Sequence, residues 1–596
     1  MRNVHFGSKH LKRLDGLKSE RYDILSEIKR HIPKKKYKLT QSSFKNGTLR
    51  ITKPGKYVLT EDITFSPNAS NDFRPLPTQT KYSNRAYSLG FFAAITIEVD
   101  GVEIDLNGKT LKQGNKMAWM QRFYANIETA STPFIPGQGP GDFGKNIRSP
   151  KYIYIHGGTL GRSSHHGIHG NGNEYVVVED VKIIDYEFVG SAINGGKYIV
   201  HHNCKILRNY KDLKVLATWS AALFAQQFTD DIAHKLAGNT SVNRDLFNDF
   251  NQNRLRLRSS IHQTKNELFA NKRTVSNPLY RNDKLLADGN VYGILSNPLG
   301  VAINDFSSEE TMKDKKHASH FIVENCEIRD LEGDVDEVIS FVNAAGKAQK
   351  GPSGDLLKLD DCMTDSGRYR GNEISDMIFA LARVKKVYPN LEYGTLNIDD
   401  DVLRWSQGEL SFFQLKNRGY KFITGQDSMG HIGKGVLGIR IDGTKHVVLS
   451  HNNVKNIINH ARLGTEHNKS TDKTYRGTIA SGIHLAYSQD VWIDKTLIKD
   501  IKSYNGEASG VKAINNTKAN IYHSSINGIT SGLKYDEGEW TGRTHSKTIQ
   551  TYHSTEPNEF PSAKGACWTY NSKVSFENVD IKSLKGPQVF YIAIVR

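Results

Sequence analysis

Three segments of the sequence place a basic residue two positions after a glycine, in "GIRID", "GIHLA" and "GVKAI". The basic residues are Arg440, His484 and Lys512, and Asp442 follows Arg440 by two positions. Side by side, such groups could neutralise a sugar carboxylate and remove the proton beside it, the two requirements of β-elimination. Arg440 or Lys512 could be the base and His484 the neutralising group, or the reverse. Asp442 could orient the arginine or hold a cation.

Related segments add candidate substrate-binding residues. His169 stands two positions after the glycine of "GIHGN", Asn171 closes the same segment, and Asn146 holds the equivalent place in "GKN". If the segments stack, these residues form one column on an outer face, pointing to solvent. A row of basic groups there could bind the carboxylates or sulfates of an extended acidic glycan. The alternative is a solvated sheet surface with ordinary basic residues.

Eight copies of one pattern must position this column. The pattern reads apolar, any, apolar, any two, small or apolar, any, apolar. Its alternation indicates strands with one buried face. The copies begin at Ile153, Val176, Ile199, Phe321, Val447, Val491, Ala519 and Val574.

A glycine lies nine residues before seven of these eight copies, and only the copy at Phe321 lacks it. The glycines are Gly144, Gly167, Gly190, Gly438, Gly482, Gly510 and Gly565. We expect each one to make a corner, and the two short strands of each unit to be joined by a tight turn such as "NGN", "NGG", "DGT" or "NNT", where glycine and asparagine supply a left-handed backbone. The first three copies recur every 23 residues. Strands and corners at that period predict a parallel β-helix, in which each turn stacks on the next.

Two early segments, "GKYVLTEDITF" and "AAITIEVDGVEIDLNGKTL", resemble the first turns of the pectin-lyase-like superfamily. "GGTLGRSSHHGIHGNG" and "SMGHIGKGVLGIRIDG" are also similar to uncharacterised β-helix proteins of large DNA viruses and algae. The superfamily resemblance covers about residues 50–210, 300–335 and 420–596. It implies a mainly β protein with a right-handed parallel β-helix. The aspartate clusters that mark the superfamily's pectate lyases and polygalacturonases have no counterpart here. "HHGIHG" and "RID" match the "GHG" and "RIK" motifs of the polygalacturonases only in part.

Two stretches with helical spacing of Leu and Phe interrupt the repeat. The expected organisation is a basic N-terminal helical arm or cap (1–49), a first β-helix part (50–210) and a helical insertion (211–300). A single β-helix rung (301–335), a second insertion (336–420) and a C-terminal β-helix part (421–596) follow. The insertions could pack on the barrel, cover a binding face or contact another subunit. If both leave and return at one level, Cys204 and Cys326 are stacked neighbours in the interior.

Composition bounds the partners and cofactors. The formal net charge is +17, which favours polyanions such as acidic polysaccharide. Four cysteines without C-x-x-C spacing do not predict a disulfide framework or a zinc site. The acidic segments "LDDCMTDSG" and "NIDDDVLRW" lack EF-hand spacing, so Ca²⁺ is unsupported and no cofactor is expected. The group His165, His166 and His169 is interpreted as surface rather than as a metal site. No apolar run is long enough to span a membrane, and no signal peptide is evident.

Two functions from different classes fit these observations. The first is binding of an extended acidic polysaccharide on the outer column, with polysaccharide lyase or glycoside hydrolase activity as its enzymatic form. The alternative is a non-enzymatic structural or adhesive protein, such as a virion or surface component, which uses the β-helix as a scaffold in a homo-oligomer or larger assembly. Nucleic-acid binding ranks last, because no recognition module accompanies the charge.

Overall fold

A computed structural model describes residues 6–130, 148–208, 226–269, 291–299, 317–333, 380–388, 435–459, 479–532 and 562–595, with gaps of a few residues inside some ranges and two short pieces at 465–466 and 475–476. These residues form a parallel β-helix, as the repeat predicted. Helices α1 (Ser8–His31), α2 (Asn115–Met120) and α3 (Arg244–Phe269) and the 3-10 turns Gln41–Phe44, Ala69–Asn71 and Thr80–Tyr82 accompany the strands.

The strands follow one another around the helix axis with short corners or longer loops between them. In the first half they are β1 (Lys36–Leu39), β2 (Leu49–Ile51), β3 (Gly55–Leu59), β4 (Ile63–Phe65), β5 (Ala93–Ile97), β6 (Val102–Asp105), β7 (Thr110–Gln113), β8 (Ala125–Glu128), β9 (Lys151–Leu160), β10 (His166–Asn171), β11 (Glu174–Ile184), β12 (Val189–Asn194), β13 (Lys197–His202), β14 (Lys205–Leu207) and β15 (Val291–Ser296).

The second half continues the same succession, and among its described residues β21 and β22 form a small antiparallel hairpin. Its strands are β16 (Ala318–Glu324), β17 (Glu327–Gly333), β18 (Gly435–Asp442), β19 (Thr444–Ser450), β20 (Asn453–Asn459), β21 (Thr465–Glu466), β22 (Tyr475–Arg476), β23 (Ile479–Ala486), β24 (Gln489–Asp494), β25 (Leu497–Ser503), β26 (Ala508–Ile514), β27 (Lys518–Tyr522), β28 (Ser525–Ser531), β29 (Ser562–Thr569), β30 (Lys573–Glu577), β31 (Asp580–Lys585) and β32 (Gln588–Val595).

Two sheets enclose the interior. Sheet A has 19 strands within the described residues, and sheet B has 11, namely β2, β5, β8, β10, β12, β15, β18, β23, β26, β29 and β32. A typical rung, meaning one turn of the solenoid, gives two successive strands or one long bent strand to sheet A and the next strand to sheet B. Side chains facing inward from both sheets form one continuous apolar core.

The eight predicted copies stack in register. Each first residue pairs with that of the next copy, from Ile153 and Val176 through Phe321 and Val447 to Val574. Val102 in β6 adds a further member before Ile153. The alternation of apolar residues therefore predicted both the fold and its register, because shifting a strand by one residue would turn its apolar side outward.

The role predicted for the glycines is wrong. Within the described residues they lie inside strands of sheet B and face the interior, and Gly293 fills the rung at which the pattern found none. A Cβ on Gly482 would lie 2.4 Å from Cγ2 of Ile498 in sheet A and 2.8 Å from the carbonyl oxygen of Gly510. Close approach of the two sheets therefore requires glycine here. Gly144 lies outside the described residues.

The left-handed turns predicted at "NGN", "NGG", "DGT" and "NNT" are confirmed, because Gly172, Gly195, Gly443 and Asn515 have φ between 51° and 67°. Other residues make the corner within sheet A. The turn between the two sheet A strands of a rung carries a left-handed residue in six successive rungs, with φ between 45° and 54°. These residues are Asn203, Asn325, His451, Lys495, His523 and Asn578. Asparagine tolerates this conformation better than most residues, and Asn325 Nδ2 also donates to Asn203 Oδ1 at 3.2 Å.

The stacking predicted for Cys204 and Cys326 is confirmed. The first insertion leaves after β14 and returns at β15, and the second leaves after β17 and returns at β18. Both cysteines are buried and free, and the Cys204 backbone N–H donates to Cys326 Sγ at 3.4 Å. Burial raises the pKa of the Cys326 thiol well above its ordinary value. Cys326 is therefore a protonated packing residue, and Cys204 packs beside it.

The two insertions contact each other through their described helical residues. Arg383 pairs with Asp249 of α3 at 2.5 Å, and the Asn243 backbone N–H donates to the Tyr388 hydroxyl at 2.6 Å. Phe250 of α3 is buried in the same apolar cluster as Val384. A role in covering a binding face or contacting another subunit stays a prediction.

Helix α1 lies along the outside of sheet A across several rungs. Its apolar face packs on an outward row of sheet A side chains. Salt bridges flank that row: Arg13 pairs with Asp490 at 2.8 Å, and Arg21 pairs with Glu324 at 2.6 Å. The basic residues of the helix therefore meet carboxylates of its own β-helix. The row consists of Tyr154, Val177, Val200, Ile322, Val448 and Trp492.

Removing one buried side chain of α1 is expected to loosen this docking. Ile28 is fully buried against sheet A, whereas Tyr22 on the same helix is 64% exposed. Ile28→Ala should cost about 2 kcal/mol or more of docking free energy through lost apolar contact. Native-state hydrogen exchange of the α1 amides measures that cost. Tyr22→Ala is the control, and equal loss of protection in both variants would contradict docking through the buried face.

Candidate functional site

The predicted column exists on the outer face of sheet B. Arg440, His484 and Lys512 are consecutive register partners in β18, β23 and β26, so they span roughly 10 Å. The full column runs Arg50, Thr96, Glu128, His169, Ala192, Leu295, Arg440, His484, Lys512, Cys567, Ala593.

The position before His169 belongs to Glu128 of β8. The sequence pattern assigned that place to Asn146, which lies outside the described residues. The offset of nine residues fails here because a long segment separates β8 from β9. The only sequence feature that could have indicated Glu128 is the short alternation of apolar and polar residues in "ANIE" of β8, which is too brief to identify a strand without the structure.

These side chains do not point into solvent, which corrects the expectation from the repeat. Asp442 has no exposed side-chain surface, His484 is 7% exposed, and the side chains of Arg440 and Lys512 are 12% and 16% exposed. Such partial burial strengthens electrostatic interactions relative to a flat wet surface. The column is therefore a recessed polar site.

Arg440 is held by two partners. Its Nε donates to Asp442 Oδ2 at 2.6 Å, its Nη1 donates to the Tyr292 hydroxyl at 2.9 Å, and its guanidinium carbon lies 5.2 Å from the Tyr292 ring centre. Burial lowers the pKa of Arg440, but Asp442 and Tyr292 raise it by more. These contacts hold Arg440 as a cation, which disfavours it as the base. Asp442 orients it, one of the two roles predicted for this aspartate.

Lys512 shares a carboxylate that the sequence analysis missed. Glu507, immediately before β26, accepts from Lys512 at 2.9 Å through Oε1 and from Lys564 at 2.7 Å through Oε2. Burial raises the pKa of Glu507, but the two lysines lower it by more, to far below its ordinary value. Glu507 is therefore a permanent carboxylate at neutral pH. It lies outside the repeat pattern, so spacing gave no signal for it.

His484 lies between these two ion-paired groups. Burial, then Arg440 and Lys512, lower the pKa of His484 well below its ordinary value. Its Nδ1 is buried and has no hydrogen-bond partner within the described part of the chain. A neutral imidazole can accept a proton, so of the two role assignments left open the geometry favours His484 as base and the cations as neutralising groups.

A second polar group occupies the same face nearer the N-terminus. His169 Nδ1 lies 2.7 Å from Glu128 Oε2, and His169 Nε2 lies 3.3 Å from Asn194 Nδ2. Asn194 Nδ2 also donates to Asn171 Oδ1 at 2.9 Å. The structure thus joins two of the predicted binding residues, His169 and Asn171, in one hydrogen-bonded network.

Aromatic side chains connect the two polar groups. The ring centre of Phe188 lies 5.6 Å from that of His166, which lies 4.6 Å from that of His169. On its other side Phe188 lies 5.6 Å from Tyr292, which contacts Arg440. Phe188 and Tyr292 belong to an apolar cluster on this face with Ala192 and Leu295. Aromatic faces next to polar groups are a common lining of ligand sites.

Metal ligation gains no support from the described residues. Among them, no group of three or more His, Cys, Asp or Glu side chains could hold a metal ion. Burial and the neighbouring imidazoles lower the pKa of His166 well below its ordinary value, so it is neutral. The acidic segments considered for Ca²⁺ lie outside the described residues.

Comparisons with known proteins found similar solved structures at low identity and low TM-score. No protein-family model matches the chain, and no curated protein sequence matches it. The catalytic domain of Agl-KA is similar at 8% identity and a TM-score of 0.32, with 97% of this chain and 65% of that one covered, slightly under two thirds of its length. A polygalacturonase from Erwinia carotovora subsp. carotovora gives 9% identity, coverages of 95% and 93%, and a TM-score of 0.28. PfbA, a surface adhesin of Streptococcus pneumoniae, is similar at 8% identity and a TM-score of 0.27, with 95% of this chain and 86% of that one covered.

The two stacked parallel sheets of the described residues are themselves the parallel β-helix that the predicted resemblance implies. No helix in the described residues is long and apolar enough to cross a membrane.

Proposed function

We propose that the protein binds an acidic glycan on the outer face of sheet B, with one sugar carboxylate between Arg440 and Lys512. The observation that carries this proposal is the neutral His484, with Nδ1 unpartnered among the described residues, in register between two cations. A carboxylate there gains charge-assisted hydrogen bonds in a recessed site, where such bonds are about twice as strong as neutral ones.

The same geometry suits β-elimination. A carboxylate held by Arg440 and Lys512 would offset the two cations that lower the pKa of His484, so the imidazole becomes a better base once the sugar is bound. His484 would take the proton from the carbon beside the carboxylate. The electrons of that C–H bond form a C=C bond, the glycosidic C–O bond breaks, and the leaving oxygen takes a proton from water.

Titration with galacturonate oligosaccharides tests the binding step. Lys512→Ala is expected to weaken binding about tenfold or more, because a hydrogen bond to a charged group is worth roughly 1.5–3 kcal/mol. Lys582→Ala is the matched control, since that side chain is 57% exposed on β31 of sheet A. Calorimetry gives the affinities, and equal affinities in the two variants would remove the proposed site.

Turnover has its own readout. Elimination creates an unsaturated sugar that absorbs in the ultraviolet, so its formation can be followed directly with galacturonate and alginate chains. If His484 is the base, His484→Gln loses this signal while retaining most of the binding. Binding without any unsaturated product would leave a non-catalytic glycan-binding protein.

The alternative, a structural or adhesive scaffold, also has supporting observations. Arg440 and Lys512 both have carboxylate partners already, so these pairs could serve stability alone. The last strand, β32, exposes Val589, Phe590 and Tyr591 by 40%, 39% and 50%, which would suit a subunit contact. Under this alternative Lys512→Ala changes stability and no glycan binds. A strict monomer in sedimentation experiments would contradict a role in assembly.

A further inference from the structure

The four side chains of the network around His169 are hydrogen-bonded to one another, but one polar atom at each end of the network has no hydrogen-bond partner within the described residues. Glu128, His169, Asn194 and Asn171 are joined in that order by hydrogen bonds. At one end Glu128 Oε1 is buried without a hydrogen-bond partner, and at the other end Asn171 Nδ2 is buried without one, both within the described part of the chain. Glu128 is fully buried and Asn171 is 1% exposed.

Open polar ends of this kind are costly unless something occupies them. A buried donor or acceptor left without a partner costs roughly 1–3 kcal/mol, and more for a charged group. Glu128 Oε1 needs a hydrogen-bond donor and Asn171 Nδ2 needs an acceptor. A hydroxyl group supplies both. The network reaches the surface at Asn194, which is only partly buried.

The chemistry of the network disfavours a negatively charged ligand. Its only ionisable acid is Glu128, and burial raises the pKa of that carboxyl, with His169 opposing the shift. A second carboxylate beside it would add like-charge repulsion in a site from which water is largely excluded. Beside the network, Phe188 offers an apolar face at 7% exposure, against which the less polar side of a sugar ring can pack.

We propose that the network of Glu128, His169, Asn194 and Asn171 is a second binding subsite, which takes the hydroxyl groups of an uncharged sugar unit. The inference rests on the proposed glycan binding and refines its substrate class. Asn171 stands three rungs from the level of Asp442, about 14 Å at ~4.8 Å per rung. A glycan that meets both sites is therefore an oligosaccharide carrying neutral and acidic units, not a purely acidic chain.

Two sets of probes separate the two sites. The neutral probes are xylan, glucan and mannan oligosaccharides, and the acidic probes are galacturonate oligosaccharides. Glu128→Gln keeps the shape of the side chain but removes its charge, and should weaken binding of the preferred neutral probe about tenfold. Its affinity for the acidic probes should stay within about twofold. Lys512→Ala should show the opposite pattern.

Each outcome decides something. If the wild type binds none of the neutral probes, or Glu128→Gln binds them as tightly as the wild type, the open ends hold water only and the subsite is overturned. If the neutral probes bind and the acidic ones do not, the subsite stands and the proposed carboxylate site fails. Thermal unfolding midpoints show whether each variant is folded. Asn171→Ser is the second variant, with the same expected loss for the neutral probe.

Discussion

Gly482→Ala is expected to destabilise the protein by about 3 kcal/mol, near the upper end of the range for overpacked cores. The added methyl group would lie 2.4 Å from Ile498 Cγ2 and 2.8 Å from the carbonyl oxygen of Gly510. Neither neighbour can withdraw cheaply, since one is packed in the core and the other is backbone. Urea unfolding followed by circular dichroism measures the loss.

Gly16→Ala is the matched control. Gly16 lies within α1, and a Cβ there would meet nothing within 4 Å. Alanine is the better helix former by about 1 kcal/mol, so this variant should be slightly more stable than the wild type. If Gly482→Ala proved as mild as Gly16→Ala, the two sheets would be farther apart than the structure places them.

The glycine column also shows what the sequence can and cannot predict. Spacing revealed that a glycine recurs, because a stacked rung repeats its residue types. Spacing does not reveal which face the glycine occupies, so a corner was predicted where the structure has a contact between sheets. Gly293 escaped the pattern because it precedes Phe321 by 28 positions instead of nine, and a fixed offset misses a connection of a different length.

The repeat also predicted which residues of the candidate site are neighbours, but it did not predict all of their contacts. Arg440, His484 and Lys512 were predicted as neighbours because each keeps its distance from an in-register strand. The pair of Arg440 with Asp442 was foreseen, but the burial of the column and its contacts with Glu507 and Tyr292 were not, because these two partners lie at positions that the repeat does not constrain. The alternation within each strand determines its register. The contacts of a side chain also depend on residues far away in sequence, such as Tyr292, which lies 148 positions before Arg440.

Glu507→Gln is expected to have the largest effect of any charge substitution proposed here. The change leaves Lys512 and Lys564 recessed, at 16% and 6% exposure, without their shared carboxylate. Breaking a buried pair in this way costs about 3–5 kcal/mol. Urea unfolding at neutral pH measures the loss. The control is Asp580→Asn, whose pair with Lys582 is 57% exposed on both sides and should contribute nothing measurable.

The loss should depend on pH in a defined direction. The pKa of Glu507 is far lower in the folded protein than its ordinary value, so the folded state resists protonation of this group. The stabilisation by ionised Glu507 is therefore complete above about pH 5. It begins to decline as the pH falls below about 4 and is lost once the pH reaches the much lower pKa of the folded state. The difference between wild type and Glu507→Gln should narrow on acidification. A difference that stayed constant down to about pH 3 would show that Glu507 acts through packing alone.

The same variant separates stability from binding. Glu507 partly offsets the effect of Arg440 and Lys512 on His484, so its removal makes the site more positive. If the column binds a sugar carboxylate, that ligand can take the place of the missing one. Galacturonate oligosaccharides should then raise the unfolding midpoint of Glu507→Gln more than that of the wild type, since at a given concentration a ligand that binds the folded state more tightly stabilises it more. A less stable variant with the larger ligand-induced shift is what an anion-binding site requires. Equal shifts would mean that the two lysines serve the fold and do not contact the ligand.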